Sequence, residues 1–184
     1  MNADNQQERL KITENYPWFL AGLIEGEGSV CVSFKEHPTA RFGYYIDPEF
    51  FIYQHKYAGE LLEQAKAYFG TGTIVPKPGN EDVLVYKIAS RKTLIEKIIP
   101  FYEKYMQHGS AAKRRNFLMF KEITLALESK AHKTLQGTLR IVDLAYSLNH
   151  AGKQRKRSKQ EVIDRILRDY TPNSELISKN SEKI

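Results

Sequence analysis

Two glutamates separated by one glycine end the apolar segment LAGLIEGEG, which spans residues 20–28. An alternating, β-forming stretch starts directly after them, so Glu25 and Glu27 lie where a predicted helix gives way to a predicted strand. Carboxylates in this position suit a hard cation such as Mg²⁺, which takes oxygen ligands from one or two carboxylates and from substrate phosphates. The alternative is that both glutamates are solvated residues of a helix-ending loop, and the pattern alone leaves this open.

The helix that carries the two glutamates is predicted to be covered on both faces. Pro17 suits a first helical turn, and residues 18–24 are apolar on every side, whereas a surface helix has one apolar stripe. Gly22 and Gly26 lie four residues apart on one face, where a second backbone could approach closely. We expect Gly26 and Gly28 to end this helix.

The remaining elements follow from alternation, helical spacing and turn residues. Strands are predicted over residues 29–35, 42–53, 73–75 and 83–89, and helices over residues 57–69, 93–105, 110–129, 135–148 and 159–169. Pro48 inside the second strand indicates an edge position or a bulge, and Pro100 is expected to kink or split its helix. The order predicts an α+β fold, with a four-stranded antiparallel sheet, helices on one face, and additional helices at the C-terminus.

Composition excludes several classes of protein. The length of 184 residues suits one domain, and no apolar run approaches the roughly 18 residues of a membrane span. The lone cysteine, Cys31, rules out an internal disulfide and a cysteine zinc cluster. Because the N-terminus is polar and shows no signal peptide, we expect an intracellular protein. The choice between an organelle and a bacterial cytoplasm stays open.

Positive charge is concentrated in the second half of the chain. The net charge is +6 overall, and residues 101–184 hold 17 basic and 9 acidic residues, which gives +8. The excess peaks at residues 113–115 and 153–159. Such clusters favour a polyanion, because neutralising phosphates releases condensed counterions. Charge alone does not distinguish this from a basic protein whose charge serves solubility.

The segment LAGLIEGEG resembles the LAGLIDADG motif of the homing endonucleases, with glutamate for both aspartates and glycine for the central alanine. The second strand ends in Gln54-His55, similar to the strand-end glutamine of that family. Lys113, in KRRNF, opens a later helix as in single-motif members. The stretches at residues 42–55 and 99–105 are similar to an intron-encoded member. The resemblance covers about residues 17–127.

The resemblance implies the αββαββα fold of this family, whose saddle-shaped sheet lies along the DNA major groove. It implies a site-specific endonuclease that cuts both strands of a long, near-palindromic target, leaves short 3′ overhangs and promotes mobility of a group I intron. Since each motif serves one strand, a chain with one motif is expected to act as a homodimer. The motif helices would form the interface, to which we assign Trp18, Phe19, Ala21, Gly22, Glu25 and Gly26.

The resemblance also assigns catalytic roles. Glu27 and the Gly26 carbonyl would hold Mg²⁺, for which Mn²⁺ or Ca²⁺ could substitute in binding. Gln54 would orient solvent, and Lys113 would stabilise charge, with Arg91 as a second candidate. Two departures are the glutamate at position 27, where aspartate is usual, and Ala58, where the family often has arginine.

Contacts to DNA are expected from alternate residues of the strands and from the basic clusters. Residues with side chains on the open face would read base edges, and the alternative for each is a solvated sheet residue. The candidates are Ser29, Cys31, Ser33, Lys35, His37, Arg41, Tyr45, Asp47, Glu49, Tyr53, His55, Lys77 and Lys87. Phosphates would be contacted by Arg114, Lys153, Arg155, Lys156 and Arg157.

The predicted organisation is a polar lead-in at residues 1–15, one endonuclease domain at 16–170 and a flexible tail at 171–184. Within the domain, the core covers about 16–130 and a helical extension covers 131–170. Two other functions stay open: a maturase that binds intron RNA on the same fold, and a DNA-binding regulator without cleavage. The retained Glu27 and Gln54 argue against the regulator. Neither a membrane nor a small-molecule substrate is expected.

Overall fold

A computed structural model describes residues 13–149, 156–168 and 170. It confirms the predicted order of elements, followed by the additional helices. The bounds are α1 Tyr16–Glu27, β1 Gly28–Glu36, β2 Tyr44–His55, α2 Gly59–Phe69, β3 Thr73–Lys77, β4 Asn80–Ile88, α3 Arg91–Thr93, α4 Ile99–Tyr105, α5 Ala111–Glu128, α6 Leu135–Ser147 and α7 Lys159–Arg168. The predicted tail, Lys153 and Arg155 lie outside the described residues.

The four strands form one antiparallel sheet in the order β1-β2-β4-β3. The ladder between β2 and β4 runs from Phe50 opposite Ile88 to His55 opposite Val83. Pro48 precedes this ladder, so its missing N–H costs no hydrogen bond to β4, which explains a proline in a central strand. No helix among the described residues is long and apolar enough to cross a membrane.

Burial alternates along β1 and β2 as the sequence predicted. Val30 and Val32 are buried, whereas Cys31 and Ser33 between them are only half-buried and Lys35 is exposed. On β2, the even-numbered residues from Tyr44 to Ile52 are buried. Successive side chains of a strand point to opposite faces, so the odd-numbered residues of both strands share the face that is less covered.

The chain divides into two compact units. The first comprises the described part of Met1–Val30 together with Glu49–Phe117, and its core includes Leu20, Ile24, Phe50, Tyr86 and Ile98. The second comprises Cys31–Pro48 and the described part of Leu118–Ile184, with a core of Phe42, Tyr44, Val142, Val162 and Ile166. The predicted division of one domain near residue 130 stays a prediction.

One helix differs from expectation, and a second is divided near Pro100 as predicted. Helix α1 continues through Gly26 and ends at Glu27, and the Gly28 N–H donates to the Ile24 carbonyl as β1 begins. A Cβ at Gly28 would lie 2.5 Å from the Ile24 oxygen, so only glycine fits this turn. Before Pro100, residues Leu94–Ile98 form one wide π-helical turn. The proline itself occupies the first turn of α4, where its missing N–H is not needed.

Candidate active site and DNA interface

The end of α1 presents an exposed carboxylate. Glu27 is the last residue of the helix, and its side chain and Gly26 are both exposed. Because β2 runs antiparallel to β1, the last residues of β2 lie beside the start of β1. Gln54, half-buried and opposite Leu84, therefore occupies the same end of the sheet as Glu27.

A lysine from α5 completes this arrangement. The Lys113 Nζ donates to the Gly28 carbonyl and, at 3.4 Å, to the Ile24 carbonyl, at the junction of α1 and β1. Burial lowers the pKa of the Lys113 ammonium, and the negative charges of Glu25 and Glu27 act in the opposite direction. The structure thus brings Lys113 into the electrostatic field of Glu27, two residues that the sequence separates widely.

Glu25 forms a hydrogen bond with another residue of the first compact unit. Its Oε1 accepts a hydrogen bond from the Ser110 N–H at 3.1 Å, and its buried Oε2 has no hydrogen-bond partner among the described residues. Burial raises the pKa of the Tyr102 hydroxyl, and the Glu25 charge adds to that shift. Sequence reasoning placed Glu25 at a dimer interface and missed this contact, for which no local signal exists.

Arg91 is separated from Gln54 along β4. Gln54 pairs with Leu84 in the middle of β4, whereas Arg91 follows the C-terminal end of that strand. The half-buried Arg91 opens α3, where the Ser90 hydroxyl accepts a hydrogen bond from the Thr93 N–H. Arg91 and Gln54 therefore lie at different positions along β4, and the role of Arg91 as a second candidate for charge stabilisation stays a prediction.

In the first unit, the open face of the strands is more apolar than predicted. The carboxylate of Glu49 is only 8% exposed and forms an ion pair with Lys87, so it is not a free acceptor for a base. The Lys87 and Lys77 ammonium groups each lie 5.6 Å from a ring centroid, over Phe51 and Tyr53 respectively. Phe51 has an odd number and therefore lies on the open face of β2. This alternation could have identified it as an apolar residue of that face. Ser29 is half-buried and His55 is exposed.

In the second unit, the exposed strand positions carry paired polar groups. Lys35 forms a 2.8 Å ion pair with Asp47, and both side chains are solvent-accessible. Tyr45 is exposed, with its ring 4.8 Å from that of His37, between centroids. Donors and acceptors here are accessible to a ligand, and their contacts to DNA stay a prediction. Two further candidates complete the set: the half-buried Ser33, which donates to the Asp47 carbonyl, and Arg41, which lies over the Phe42 ring.

The basic clusters are only partly available to phosphates. Lys156 and Arg157 are exposed, and Arg157 forms a 3.0 Å ion pair with Glu36. Arg114 donates to the carbonyls of Gly109 and Gln107, so it stabilises the turn before α5. Lys156, which is exposed and takes part in none of these contacts, therefore stays a phosphate candidate.

One face of α1 is apolar and open. Trp18 and Phe19 are 55% and 51% exposed, and a Cβ built on Gly22 or Gly26 would meet nothing within 4 Å. Ala21 is only 7% exposed and lies on the opposite, core-facing side. Exposed large apolar side chains next to accessible glycines are typical of a surface that packs against another helix.

The fold and the site together define a protein with an αββαββα core, an acidic helix end under a sheet and an open apolar motif helix. The family model described as LAGLIDADG endonuclease matches residues 20–124, and the chain belongs to this family.

Curated relatives and solved structures agree with this assignment. The DNA endonuclease I-CeuI of Chlamydomonas moewusii is 37% identical over 132 residues, which are 71% of this chain and 61% of that protein. The homing endonuclease I-ApeII of Aeropyrum pernix is 33% identical over 150 residues, covering 79% of this chain and 86% of the relative. The predicted similarity to an intron-encoded member is thereby confirmed.

Among solved structures, the archaeal intron-encoded homing endonuclease I-Vdi141I complexed with DNA has a TM-score of 0.74 and 34% identity. The matched region covers 83% of this chain and 95% of the I-Vdi141I chain. I-CeuI complexed with DNA has a TM-score of 0.77 and 31% identity. That match covers 86% of this chain and 79% of the I-CeuI chain. The predicted fold class is confirmed. The chain spans about three fifths of the algal relative's length and most of both solved chains.

Proposed function

We propose that this protein is a site-specific endonuclease that cuts both strands of a DNA target as a homodimer. The observation that carries the proposal is the end of α1, where the exposed Glu27 lies in the electrostatic field of Lys113, which donates to one carbonyl of α1 and one of β1. An acid and an ammonium beside each other provide a cation ligand and a stabiliser of negative charge, which phosphodiester hydrolysis requires. Since the proposed substrate is DNA, we expect the enzyme to work inside the cell.

The oxygen ligands of this site fit a divalent cation. Glu27 offers an exposed carboxylate, and the Gly26 carbonyl is at the end of a helix. The described residues contain no cluster of three or more acidic, histidine or cysteine side chains. One carboxylate per chain suits Mg²⁺, which keeps waters and takes phosphate oxygens as ligands. When bound, the cation would polarise the scissile phosphate and lower the pKa of a water molecule.

The protein's own residues position the substrate. Lys113 donates hydrogen bonds from a fixed point beside the start of β1, so its charge can stabilise the negative oxygens of the transition state. Gln54 lies at the same end of the sheet and would orient solvent towards the phosphate. Its amide offers both a donor and an acceptor. Neither residue needs to change its ionisation during the reaction.

A homodimer explains the open face of α1. The 184 residues hold one motif and one Glu27, whereas a duplex has two strands to cut. Two copies that pack through Trp18, Phe19, Gly22 and Gly26 would bury the apolar surface that each copy exposes. The target should then be nearly palindromic, because a two-fold symmetric protein presents the same surface to both half-sites.

A library of palindromic duplexes tests the proposed function and selects the target sequence in the same experiment. The chain would be incubated in Mg²⁺ with inverted-repeat duplexes whose half-sites are randomised, and the ends released by cleavage would be sequenced. We expect one family of sequences with cuts on both strands. Tight binding to the host intron RNA without any cleavage would instead favour the maturase. Sequence-selective binding to DNA, with neither DNA cleavage nor affinity for the intron RNA, would favour a regulator.

Replacing Lys35 is expected to change which sequences are bound. Lys35 forms an exposed ion pair with Asp47 on the open face, and a lysine that contacts a guanine edge contributes about 1–3 kcal/mol of discrimination. We expect Lys35→Ala to lose preference at one base pair per half-site. The measurement is the frequency of each base among bound library members.

Lys156→Ala is the matched control, because it removes the same charge from an exposed residue outside the strands. It should weaken binding to all sequences alike and reduce the slope of log K against log salt by about 1. If both variants shift the base preferences equally, the division between base reading and phosphate binding is wrong.

A further inference from the structure

Glu25, in the middle of the motif, joins α1 to the start of α5. Its Oε1 accepts a hydrogen bond from the Ser110 N–H at 3.1 Å, between residues 85 positions apart in the chain. Ser110 directly precedes α5, and its Oγ accepts a hydrogen bond from the Lys113 N–H at 3.3 Å. The carboxylate of Glu25 therefore fixes the residue that caps the helix on which Lys113 lies.

The surroundings of Glu25 leave its carboxylate little freedom. A Cβ built on Gly109 would lie 2.7 Å from Oε2, so the peptide before Ser110 packs directly against the carboxylate. Oε2 is buried, and Tyr102 is close enough for the charge of Glu25 to act on its hydroxyl. A buried carboxylate oxygen without a hydrogen-bond partner costs free energy. This cost is understandable if the group holds the active-site lysine in place.

We propose that Glu25 is a positioning residue, which holds the first turn of α5 against the end of α1 so that Lys113 reaches the junction of α1 and β1. The proposal rests on the proposed endonuclease function, and it gives the two glutamates of the motif different roles. Glu27 faces the substrate, whereas Glu25 acts through Ser110 and Lys113. Since the Lys113 Nζ is placed by two carbonyls of α1 and β1, a small displacement of α5 would remove it from both.

Replacement of Glu25 should separate the cleavage rate from DNA affinity. We expect Glu25→Ala to lower the single-turnover cleavage rate about 100-fold, because misplacing a catalytic group by about 1 Å costs that much. Affinity for the selected duplex, measured in Ca²⁺, should stay within about twofold, since the DNA-facing strands are unchanged. Glu25→Gln keeps an oxygen that can accept from Ser110 and should recover most of the rate. Glu63→Ala, an exposed glutamate of α2, is the matched control.

A second variant, at Gly109, disturbs the packing of the Glu25 carboxylate without changing Glu25 itself. In Gly109→Ala, the added methyl group would displace the Glu25 carboxylate, so cleavage should slow without any change at residue 25. The rate loss of Gly109→Ala should largely disappear when Glu25 is already alanine, because the clash is then relieved. Likewise, Glu25→Ala should have little further effect in a Lys113→Ala background if it acts through Lys113.

The outcomes keep this proposal apart from the endonuclease proposal. If the wild-type chain cuts no member of the library, the endonuclease function fails and the role of Glu25 fails with it. If the wild type cuts and Glu25→Ala cuts equally fast, only the positioning role is wrong. Rate losses of Glu25→Ala and Lys113→Ala that multiply in the double variant would also overturn it, because independent effects add in free energy. Thermal melting of each variant checks that the fold is retained.

Discussion

Glu27→Gln is expected to abolish DNA cleavage and to leave DNA binding intact. The amide has the size of the carboxylate but no charge, so it is a poor ligand for a divalent cation. The loss of metal-stabilised charge in the transition state corresponds to several kcal/mol, or about 10³-fold or more in rate. The measurement is single-turnover cleavage in Mg²⁺ of the duplex selected from the library, beside its affinity in Ca²⁺.

The same exchange at Glu63 provides the control. Glu63 is exposed on α2, so Glu63→Gln removes an equal charge from the same unit without touching the end of α1. We expect it to cut at the wild-type rate. Cleavage that persists in Glu27→Gln would show that the assignment of Glu27 as the metal ligand is wrong. Loss of binding together with cleavage would indicate a structural role for this residue.

Gly22→Leu is expected to prevent dimer formation while stabilising the isolated chain. A Cβ at Gly22 meets nothing within 4 Å, so the leucine fits without strain in one protomer. Leucine also has the better helix propensity, by somewhat less than about 1 kcal/mol. In a dimer, the same side chain would separate two helices that approach at their glycines. Sedimentation should show monomers, thermal melting should show no loss of fold, and double-strand cleavage should disappear.

Ala67→Leu is the control for the added bulk. Ala67 is exposed on α2, so the substitution enlarges a helix surface away from α1. It should leave both the dimer and cleavage unchanged. Gly26→Leu, one turn after Gly22, should repeat the loss of the dimer, since a Cβ there also meets open space. A Gly22→Leu protein that still sediments as a dimer would place the interface elsewhere.

Local patterns in the sequence were enough to predict most of the fold. Alternation at Val30 and Val32 identified the inward face of β1, and Ser110 was correctly predicted to start α5. Both signals are local, because strand alternation and helix capping depend on residues only a few positions apart. The resemblance of residues 20–28 to a known motif supplied the roles of the site residues, which spacing alone left open.

The rest depends on contacts between distant residues. The bond between Glu25 and Ser110 joins positions 85 apart, and the burial of Glu49 depends on Lys87 of another strand. The sequence predicted an interruption of the helix at Pro100, but it did not predict that Leu94–Ile98 before it is π-helical. A sequence pattern reports which face a residue prefers, and it does not report which partner the fold brings to that face.

The position of Lys113 has a consequence for how monovalent salt and divalent cations affect binding and cleavage. Aligned peptide dipoles leave about half a negative charge at the C-terminal end of a helix such as α1. Glu25 and Glu27 add two negative charges there, and the Lys113 ammonium supplies one positive charge. An approaching phosphate is therefore repelled at the point of cleavage and attracted at the basic clusters. Monovalent salt should accordingly weaken binding, whereas divalent cation concentration should control cutting. At low divalent concentration, the protein should occupy its target and leave both strands intact.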